Sequence, residues 1–424
     1  MVGDLFQKLL LSEAEFGQIA EELASAYPGL IHLSDIGKSQ EGRPIRLFTV
    51  TEFSSGEDKP GFFVQGHIHS KEMSGSLAGL DLVRRLAKEY TPGGILSKAV
   101  FYVIPRCNPD GAERMVQHPG DERSSWGDYT GVPNGIERCD IDGDGLSKTM
   151  LVEDPEGALC FSERHPRCLV SRTADSKGPF FHHMPEGMLH NFDRKTLGNW
   201  PPFAREYLDW NRNWSVGWSA AQYGSGSAPL SVPEVKLQAD WLKAHPNIQG
   251  AVAFHNGYGS LMFPAVKAED QAYVEALGSR GEKLVGYPAL YGAVQAKSDS
   301  QIPAAGTFSD YCYGELGILG ITIELGTREN SAGADSRELF QRPDAYTAAW
   351  EVVEQQDADP SLPTCVFEWK EFTHPQLGKV LLGGSCPVLF ASPLLDYLAK
   401  VSEGVCKFIQ SFVEDLLQNK GIGR

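Results

Sequence analysis

The chain has 424 residues, of which 42% are hydrophobic, and a formal net charge of −17. This length allows one enlarged α/β domain or two domains with a sizeable core, and the composition is not that of a disordered protein. There is no block of clustered Lys and Arg and no apolar run of about 18 residues, so we expect no nucleic-acid partner and no membrane span.

The N-terminus and the cysteines bear on the compartment. Met1–Ser12 has no charged start, long apolar core or small-residue cleavage site. We therefore expect a cytoplasmic protein if Met1 is the native start, or a secreted or periplasmic one if a signal peptide has been removed. The eight cysteines form no CxxC pair, which argues against a zinc–thiolate site. We interpret them as isolated buried thiols, although disulfides are an alternative.

The first third of the chain predicts alternating helices and strands. Ser12–Tyr27 has helical spacing, with Ser12 as N-cap, and Leu30–Ile36 with Ile45–Thr51 resembles a strand pair. Ser74–Tyr90 is a predicted helix with Ser74 as its cap.

A long aperiodic segment follows. Gly111–Tyr207 is polar and rich in Gly, Pro, Asp and His. A compact domain rarely carries so long a loop without a functional reason. We interpret about 112–207 as an insertion over the functional site, within a catalytic domain at 1–358.

The remaining chain predicts further helices, a hairpin and a long C-terminal helix. We expect the last part, 359–424, to pack on the same domain. The predicted helices are Pro233–His245, Glu269–Leu284, Asp344–Gln356 and Pro393–Leu417, and the predicted hairpin is Cys365–Leu382.

Four buried strands run directly into residues that can perform chemistry. The segments Pro60–His69, Ala99–Arg106, Gly250–His255 and Ile318–Glu324 have this form. The order of elements predicts an α/β fold with a mixed, mostly parallel eight-stranded sheet flanked by helices on both faces. Ligands of open α/β sheets bind beyond the carboxyl ends of the strands, where these residues would gather.

Two histidines and two glutamates at this edge suggest a metal site. His69 and Glu72 are three residues apart, so both side chains can face one ion, and His255 is the best third ligand. Zinc takes imidazole nitrogen and carboxylate oxygen, and a catalytic zinc site keeps a position for water. A lone H-x-x-E occurs often by chance, and a lone strand-end histidine is more often structural, so only the combination indicates a site.

The motifs resemble those of the zinc carboxypeptidases related to carboxypeptidase A, the M14 metallopeptidases. The resemblance is carried, in order, by Ile36–Ile45, Gly66–Glu72, Asn108–Gly111, Asp209–Trp214, Phe254–His255 and Thr322–Leu325. It covers most of Ser12–Thr327 outside the insertion. The resemblance implies a zinc carboxypeptidase-like fold.

It also implies roles for individual residues. His69, Glu72 and His255 would hold one Zn²⁺, and Glu324 would be the general base and acid. Asp209 would be a hydrogen-bonding partner of His69. Substrate contacts would come from Asn211 and Arg212, which grip a free C-terminal carboxylate, from Lys71, and from Ser309 and Asp310 near the side-chain pocket.

Two expected residues have no clear equivalent. The family's second arginine lies in the interval that here holds the insertion, where Arg114, Arg138, Arg164 and Arg172 are candidates. The position of its mobile tyrosine falls on Ile302, which cannot do that job, and Tyr291 is a possible substitute.

A second metal is suggested by an acidic loop. Asp140, Asp142 and Asp144 are spaced as in a calcium loop, with Gly145 at the sixth position. Leu151 stands where the usual glutamate would be, so the alternative interpretation is an acidic turn that binds no Ca²⁺.

The expected function is a zinc-dependent metallocarboxypeptidase that cleaves the C-terminal peptide bond of a peptide. One alternative is a hydrolase of an unusual amide, such as a cell-wall muropeptide or a γ-glutamyl peptide, because a long insertion can narrow a site. The other is a catalytically inactive peptide-binding relative.

Overall fold

The computed structural model describes residues 5–56, 59–120, 123–126, 135–190, 207–222, 224–292, 305–341, 349–418 and 422. Its strands are β1 (Ile31–Lys38), β2 (Pro44–Val50), β3 (Gly61–Gly66), β4 (Val100–Ile104), β5 (Ser125–Trp126), β6 (Gly135–Arg138), β7 (Thr149–Glu153), β8 (Leu159–Phe161), β9 (Leu169–Ser171), β10 (Phe181–Pro185), β11 (Gly187–His190), β12 (Tyr207–Leu208), β13 (Ile248–His255), β14 (Ser260–Phe263), β15 (Ala289–Tyr291), β16 (Leu319–Glu324), β17 (Val366–His374) and β18 (Gly378–Ser385). Its helices are α1 (Glu13–Ala26), α2 (Ser74–Lys88), α3 (Pro109–Gln117), α4 (Pro233–Ala244), α5 (Ala268–Val285), α6 (Phe308–Leu316), α7 (Arg328–Ser331), α8 (Ser336–Gln341), α9 (Ala349–Ala358), α10 (Pro387–Phe390) and α11 (Leu395–Leu417).

The main sheet has eight strands in the order β1-β2-β4-β3-β13-β16-β14-β15. The four central strands, β4, β3, β13 and β16, are parallel, and antiparallel pairs join β1, β2 and β14 to them. The predicted mixed eight-stranded sheet is confirmed. Parallel pairing brings the carboxyl ends of β3, β4, β13 and β16 to one edge, where the candidate residues lie.

Alternating side chains of the central strands build a core on each face. Phe62 and Val64 of β3 face a cluster with α1, α2, α5 and α11, whereas Phe63 faces a cluster with α4 and α6. This is the two-residue period of a strand buried on both sides. Both faces are therefore covered by helices, as predicted.

Helix ends follow local signals in most places. Ser12 caps α1 in a capping box with Glu15, as predicted, and Pro233 occupies the first turn of α4. The prediction that Ser74 caps α2 is wrong. Met73 is the N-cap, without a side-chain hydrogen bond, and Ser74 is the first helical residue.

A second, antiparallel sheet has the order β17-β18-β7-β10-β8-β9. Residues 381–383 of the C-terminal hairpin pair with 149–151 of the insertion, so the two distant segments share this sheet. Helix α11 instead packs on α2, α5 and β13 of the main sheet. None of the helices in the described ranges is long and apolar enough to span a membrane. All eight cysteines lie in these ranges, seven of them buried, and no disulfide joins them.

Candidate active site

The site lies where β3, β13 and β16 end. His69 and Glu72 follow β3, His255 is the last residue of β13, and Glu324 is the last residue of β16. In the parallel pairing, His255 and Glu324 stand directly opposite each other. Residues that are far apart in the sequence are thus brought together by strand register.

His69, Glu72 and His255 converge on one point. One ligand atom from each lies within 4.8 Å of the others, and all three residues are buried. His69 Nδ1 lies 2.8 Å from Glu72 Oε1 and 3.2 Å from His255 Nδ1, and His255 Nδ1 lies 3.0 Å from Glu72 Oε2. The predicted trio is therefore brought together.

A hydrogen bond to Asp209 sets the orientation of the His69 ring. His69 Nε2 lies 2.9 Å from Asp209 Oδ1. Burial opposes ionisation of Asp209, but Arg123, Arg212 and His69 together hold its pKa well below its usual range. Because an ionised carboxylate only accepts, His69 Nε2 carries a proton, and Nδ1 is the ring nitrogen that faces Glu72 and His255.

The cluster therefore fits a metal ion. Burial also opposes ionisation of Glu72, but His69 and His255 hold its pKa well below its usual range. A carboxylate and two imidazole nitrogens that face one another are groups that one divalent cation would bind together, in place of the protons shared between them without it. Two imidazoles and one carboxylate are a known catalytic zinc set. His69, Glu72 and His255 could thus hold a metal ion, as the sequence predicts.

Glu324 stands beside this cluster with an incompletely satisfied carboxylate. Its Oε2 is buried and has no hydrogen-bond partner in the part of the chain that the structure describes. Gly257 allows the close approach, because a Cβ there would lie 2.8 Å from Oε2. Burial raises the pKa of Glu324 to about 7, Glu72 adds to the effect, and His255 and Arg123 oppose it. Such a pKa suits a group that takes up and returns a proton near neutrality.

An arginine from the insertion lies beside the carboxylates of Asp209 and Glu72. Arg123 Nε lies 3.0 Å from Asp209 Oδ2, and Nη1 lies 3.4 Å from Glu72 Oε1. Sequence reasoning missed this residue. It lies in the interval expected to hold the second arginine, fifteen residues beyond Asn108 in the stretch that follows the Asn-Pro-Asp-Gly motif, and this position was the available signal.

The four arginines considered from the sequence lie elsewhere. Arg114 pairs with Glu41, Arg164 pairs with Glu354, and Arg172 donates to Pro155 O. Arg138 belongs to β6, which pairs with β11. Arg123 is instead the arginine that lies beside Asp209 and Glu72, and its role in the site is part of the proposal below.

The Asn-Pro-Asp-Gly motif is structural. Asn108 caps α3 by accepting from Gly111 N, and its Nδ2 donates to Ser124 O at 2.6 Å and to Ile68 O at 3.2 Å. It ties the strand ends to the stretch that carries Arg123. His67, with φ of 61°, adds bonds to Ser70 O and Ser76 Oγ that hold the metal-ligand loop.

Asn211 and Arg212 lie next to the cluster through Asp209. Asn211 Oδ1 accepts from Phe308 N at 2.9 Å, and Arg212 Nη1 lies 3.9 Å from Asp209 Oδ2. Burial raises the pKa of Asp310, and Arg212 opposes this, so the two charges are near each other. This region joins the segment after β12 to the start of α6.

The other predicted contacts are more dispersed. Ser309 is buried in α6, where its Oγ lies 3.3 Å from Thr307 Oγ1. Lys71 is half-buried in the loop between His69 and Glu72. Tyr291 stacks on Phe263, and its hydroxyl abuts α5 at Gly278, so it does not replace the expected tyrosine. The position of that tyrosine, Ile302, lies outside the described residues.

The acidic loop forms a separate cluster away from the main sheet edge. Asp140, Asp142 and Glu186 offer oxygens close enough to share an ion. The buried Lys148 ammonium, however, lies 2.5 Å from Asp144 and 3.2 Å from Asp142. Calcium at this loop remains a prediction.

Comparisons with known proteins agree with this geometry. The family model for zinc carboxypeptidases, Peptidase_M14, matches residues 17–139 and 191–349, about two thirds of the chain. Carboxypeptidase B of Astacus astacus is 37% identical over 92 residues, covering 22% of this chain and 30% of that protein. Carboxypeptidase A1 of Rattus norvegicus is 23% identical over 332 residues, covering 73% of this chain and 61% of that protein.

A solved structure shows the same fold. The crystal structure of thrombin activatable fibrinolysis inhibitor superposes with a TM-score of 0.54 at 15% identity, covering 98% of this chain and 78% of that one. Together with the family-model match and the converging His69, Glu72 and His255, this leads to one conclusion. The chain belongs to the zinc carboxypeptidase family, peptidase family M14.

Proposed function

We propose that the chain is a zinc-dependent exopeptidase that removes the C-terminal residue of a peptide with a free α-carboxylate. The observation that carries the proposal is the convergence of His69 Nδ1, His255 Nδ1 and the Glu72 carboxylate beside Glu324. Family membership supports it, although the matched segments span only 30% and 61% of the two curated relatives named above.

The proton chemistry is assigned to Glu324. Zinc held by His69, Glu72 and His255 would lower the pKa of a bound water and polarise the scissile carbonyl. The raised pKa of Glu324 lets its carboxylate take the proton of the attacking water and then deliver it to the leaving amine. Asp209 fixes the tautomer of His69 and so keeps the Nδ1 lone pair directed at the site.

Substrate recognition is assigned to the neighbouring cations. Arg212, with Asn211, would pair with the terminal carboxylate, because a guanidinium binds a carboxylate through two parallel hydrogen bonds. Arg123 would donate to the carbonyl oxygen as negative charge develops on it. Lys71 would assist binding, and Ser309 and Asp310 would border the pocket for the terminal side chain.

The first test is Glu324→Gln, assayed by release of the last residue from blocked dipeptides that differ only in that residue. We expect kcat to fall by about 10²–10⁴, the usual contribution of general acid–base catalysis, with zinc content unchanged. Glu315→Gln is the matched control, since Glu315 is an exposed glutamate paired with Lys243. Equal activity of wild type and Glu324→Gln would refute the assigned role.

The same assay separates the alternatives. Cleavage of a muropeptide or a γ-glutamyl peptide in place of ordinary dipeptides would identify a hydrolase of an unusual amide. Peptide binding without turnover, together with zinc content near zero in carefully purified protein, would identify an inactive relative.

A further inference from the structure

A cavity of about 590 Å³ lies beside the segment that follows Glu324. Its walls come from the N-terminal residues 6–9, from α7, from residues 362–365 and from the start of α11. Most of the lining is apolar, including Phe6, Leu9, Pro363, Leu389, Leu394 and Leu395. A cavity of this size and character is typical of small-molecule sites.

One buried cation stands in this apolar lining. Arg328 is only 4% exposed. Its Nη2 donates to Pro363 O at 2.6 Å, but its Nε is buried and has no hydrogen-bond partner within the described ranges. An unsatisfied donor on a charged group is costly, because the group has lost its hydration without a replacement.

The guanidinium also lacks a counter-charge. Burial lowers the pKa of Arg328, and among the described residues the side chain opposing that effect is the Cys365 thiol. Neither the adjacent Glu329 nor another described carboxylate contributes. A buried cation without an anion is strongly unfavourable, so the arrangement is complementary to a ligand that supplies negative charge.

The rim of the cavity carries charges of both signs. Lys8 and Lys400 are exposed lining residues, and Asp396 is the exposed carboxylate among them. Lys8 forms an ion pair with Glu15 at 2.6 Å, which leaves Lys400 as the more available rim cation. Lys400 and Asp396 balance each other, so Arg328 is the charge in this lining that would select an anion.

We propose that this cavity binds an organic monocarboxylate with an apolar body, whose carboxylate pairs with Arg328. The carboxylate would pair with the guanidinium and provide the missing charge, and the apolar walls would bury the rest of the molecule. Inorganic phosphate is disfavoured, because it has no apolar surface to place against these walls.

The test is calorimetric titration of the full chain with octanoate, with N-acetyl-L-leucine and with octanamide, which keeps the apolar chain but lacks the charge. We expect at least one carboxylate to bind about tenfold or more tightly than octanamide. Whichever carboxylate binds better indicates a fatty or a peptide-like source. Equal binding of octanoate and octanamide, binding of neither carboxylate, or preferential binding of inorganic phosphate would overturn the proposal.

Variants locate the binding. Arg328→Gln should remove the preference for carboxylate over amide, whereas Arg337→Gln, at an exposed arginine in the nearby α8, should keep it. Thr364→Trp places a large ring at an exposed lining position and should block the cavity with Arg328 intact, which keeps the test decisive if Arg328→Gln does not fold. Unchanged octanoate affinity in Thr364→Trp would place the binding elsewhere. Because binding is measured directly, the result does not depend on peptide hydrolysis.

Discussion

Among the described residues, two clusters of side chains could each hold a metal ion, yet they differ in what neutralises their carboxylates. At the main sheet edge, Glu72 faces two histidines whose Nδ1 atoms are 3.2 Å apart. In the insertion, Lys148 extends a buried ammonium to 2.5 Å from Asp144 and 3.2 Å from Asp142. The first cluster brings metal-ligating atoms together without a lysine or arginine among them, whereas the second already contains the Lys148 ammonium.

Backbone donors strengthen this contrast. Asp140 accepts from Gly143 N and Gly145 N at 2.7 Å each, and Glu186 accepts from Ile141 N and Lys148 N at 2.8 Å each. The difference teaches that the number of carboxylates does not define a metal site. What matters is whether the protein leaves their charge and lone pairs unsatisfied.

The largest effect is expected from breaking the first cluster. Glu72→Ala should reduce zinc content from about one ion per chain to near zero after dialysis, because two imidazoles alone make an incomplete zinc site. Asp142→Asn, a loss of one carboxylate from the second cluster, should leave zinc content unchanged. Elemental analysis of both proteins checks this, and a loss of zinc from Asp142→Asn alone would reverse the comparison.

Arg123, the cation beside the first cluster, should affect catalysis but not zinc binding. Arg123 is anchored by Asp209 and only borders Glu72. We expect Arg123→Gln to keep zinc but lower kcat/KM by about 10²–10³, as for the loss of one oxyanion donor. Arg172→Gln, which changes an arginine of the insertion that bonds to backbone carbonyls, is the control. Normal turnover by Arg123→Gln would remove it from the site.

In the metal-free protein, the raised pKa of Glu324 should make the free energy of unfolding depend on pH. Burial places that pKa at about 7, above the ordinary value of 4.5, so the folded state prefers the protonated form. The stabilisation is fully present below pH 4.5 and is lost as pH rises through 7, by up to about 3 kcal/mol. Urea unfolding of the metal-free wild type and of Glu324→Gln between pH 5 and 8 measures it. Parallel stability curves for the two proteins would contradict the expectation.

The smallest effect should come from removing the internal cation of the second cluster. Lys148→Met leaves Asp142 and Asp144 without their partner and should lower stability by about 1–3 kcal/mol. Calcium should then raise the melting temperature of Lys148→Met but not that of the wild type. If calcium instead stabilises the wild type, the loop is a calcium site despite Lys148.

Much of the main fold was predictable because local and periodic signals agree there. The buried runs ending in His255 and Glu324 became adjacent parallel strands, and Ser12 capped its helix. The second sheet was not predicted, since β7 to β10 are short strands in a polar segment and gain a partner only when the C-terminal hairpin arrives. Such pairing over more than 200 residues has no local signature.

The residues of the candidate site likewise fall into those that local signals predicted and one that they did not. His69, Glu72, His255 and Glu324 were predictable because each ends or closely follows a recognisable strand. Arg123 was missed because nothing around it is periodic, and its role depends on Asn108 holding Ser124 beside the strand ends.

The sequence by itself determined which residues are candidates for metal binding and acid–base chemistry, because strand periodicity and residue type are local properties. The tertiary structure decided which charges meet: Arg123 with Asp209, Lys148 with Asp144, and Arg328 with no carboxylate among the described residues. Charge compensation depends on distances of a few ångströms between distant segments, and those distances are set by strand register and packing.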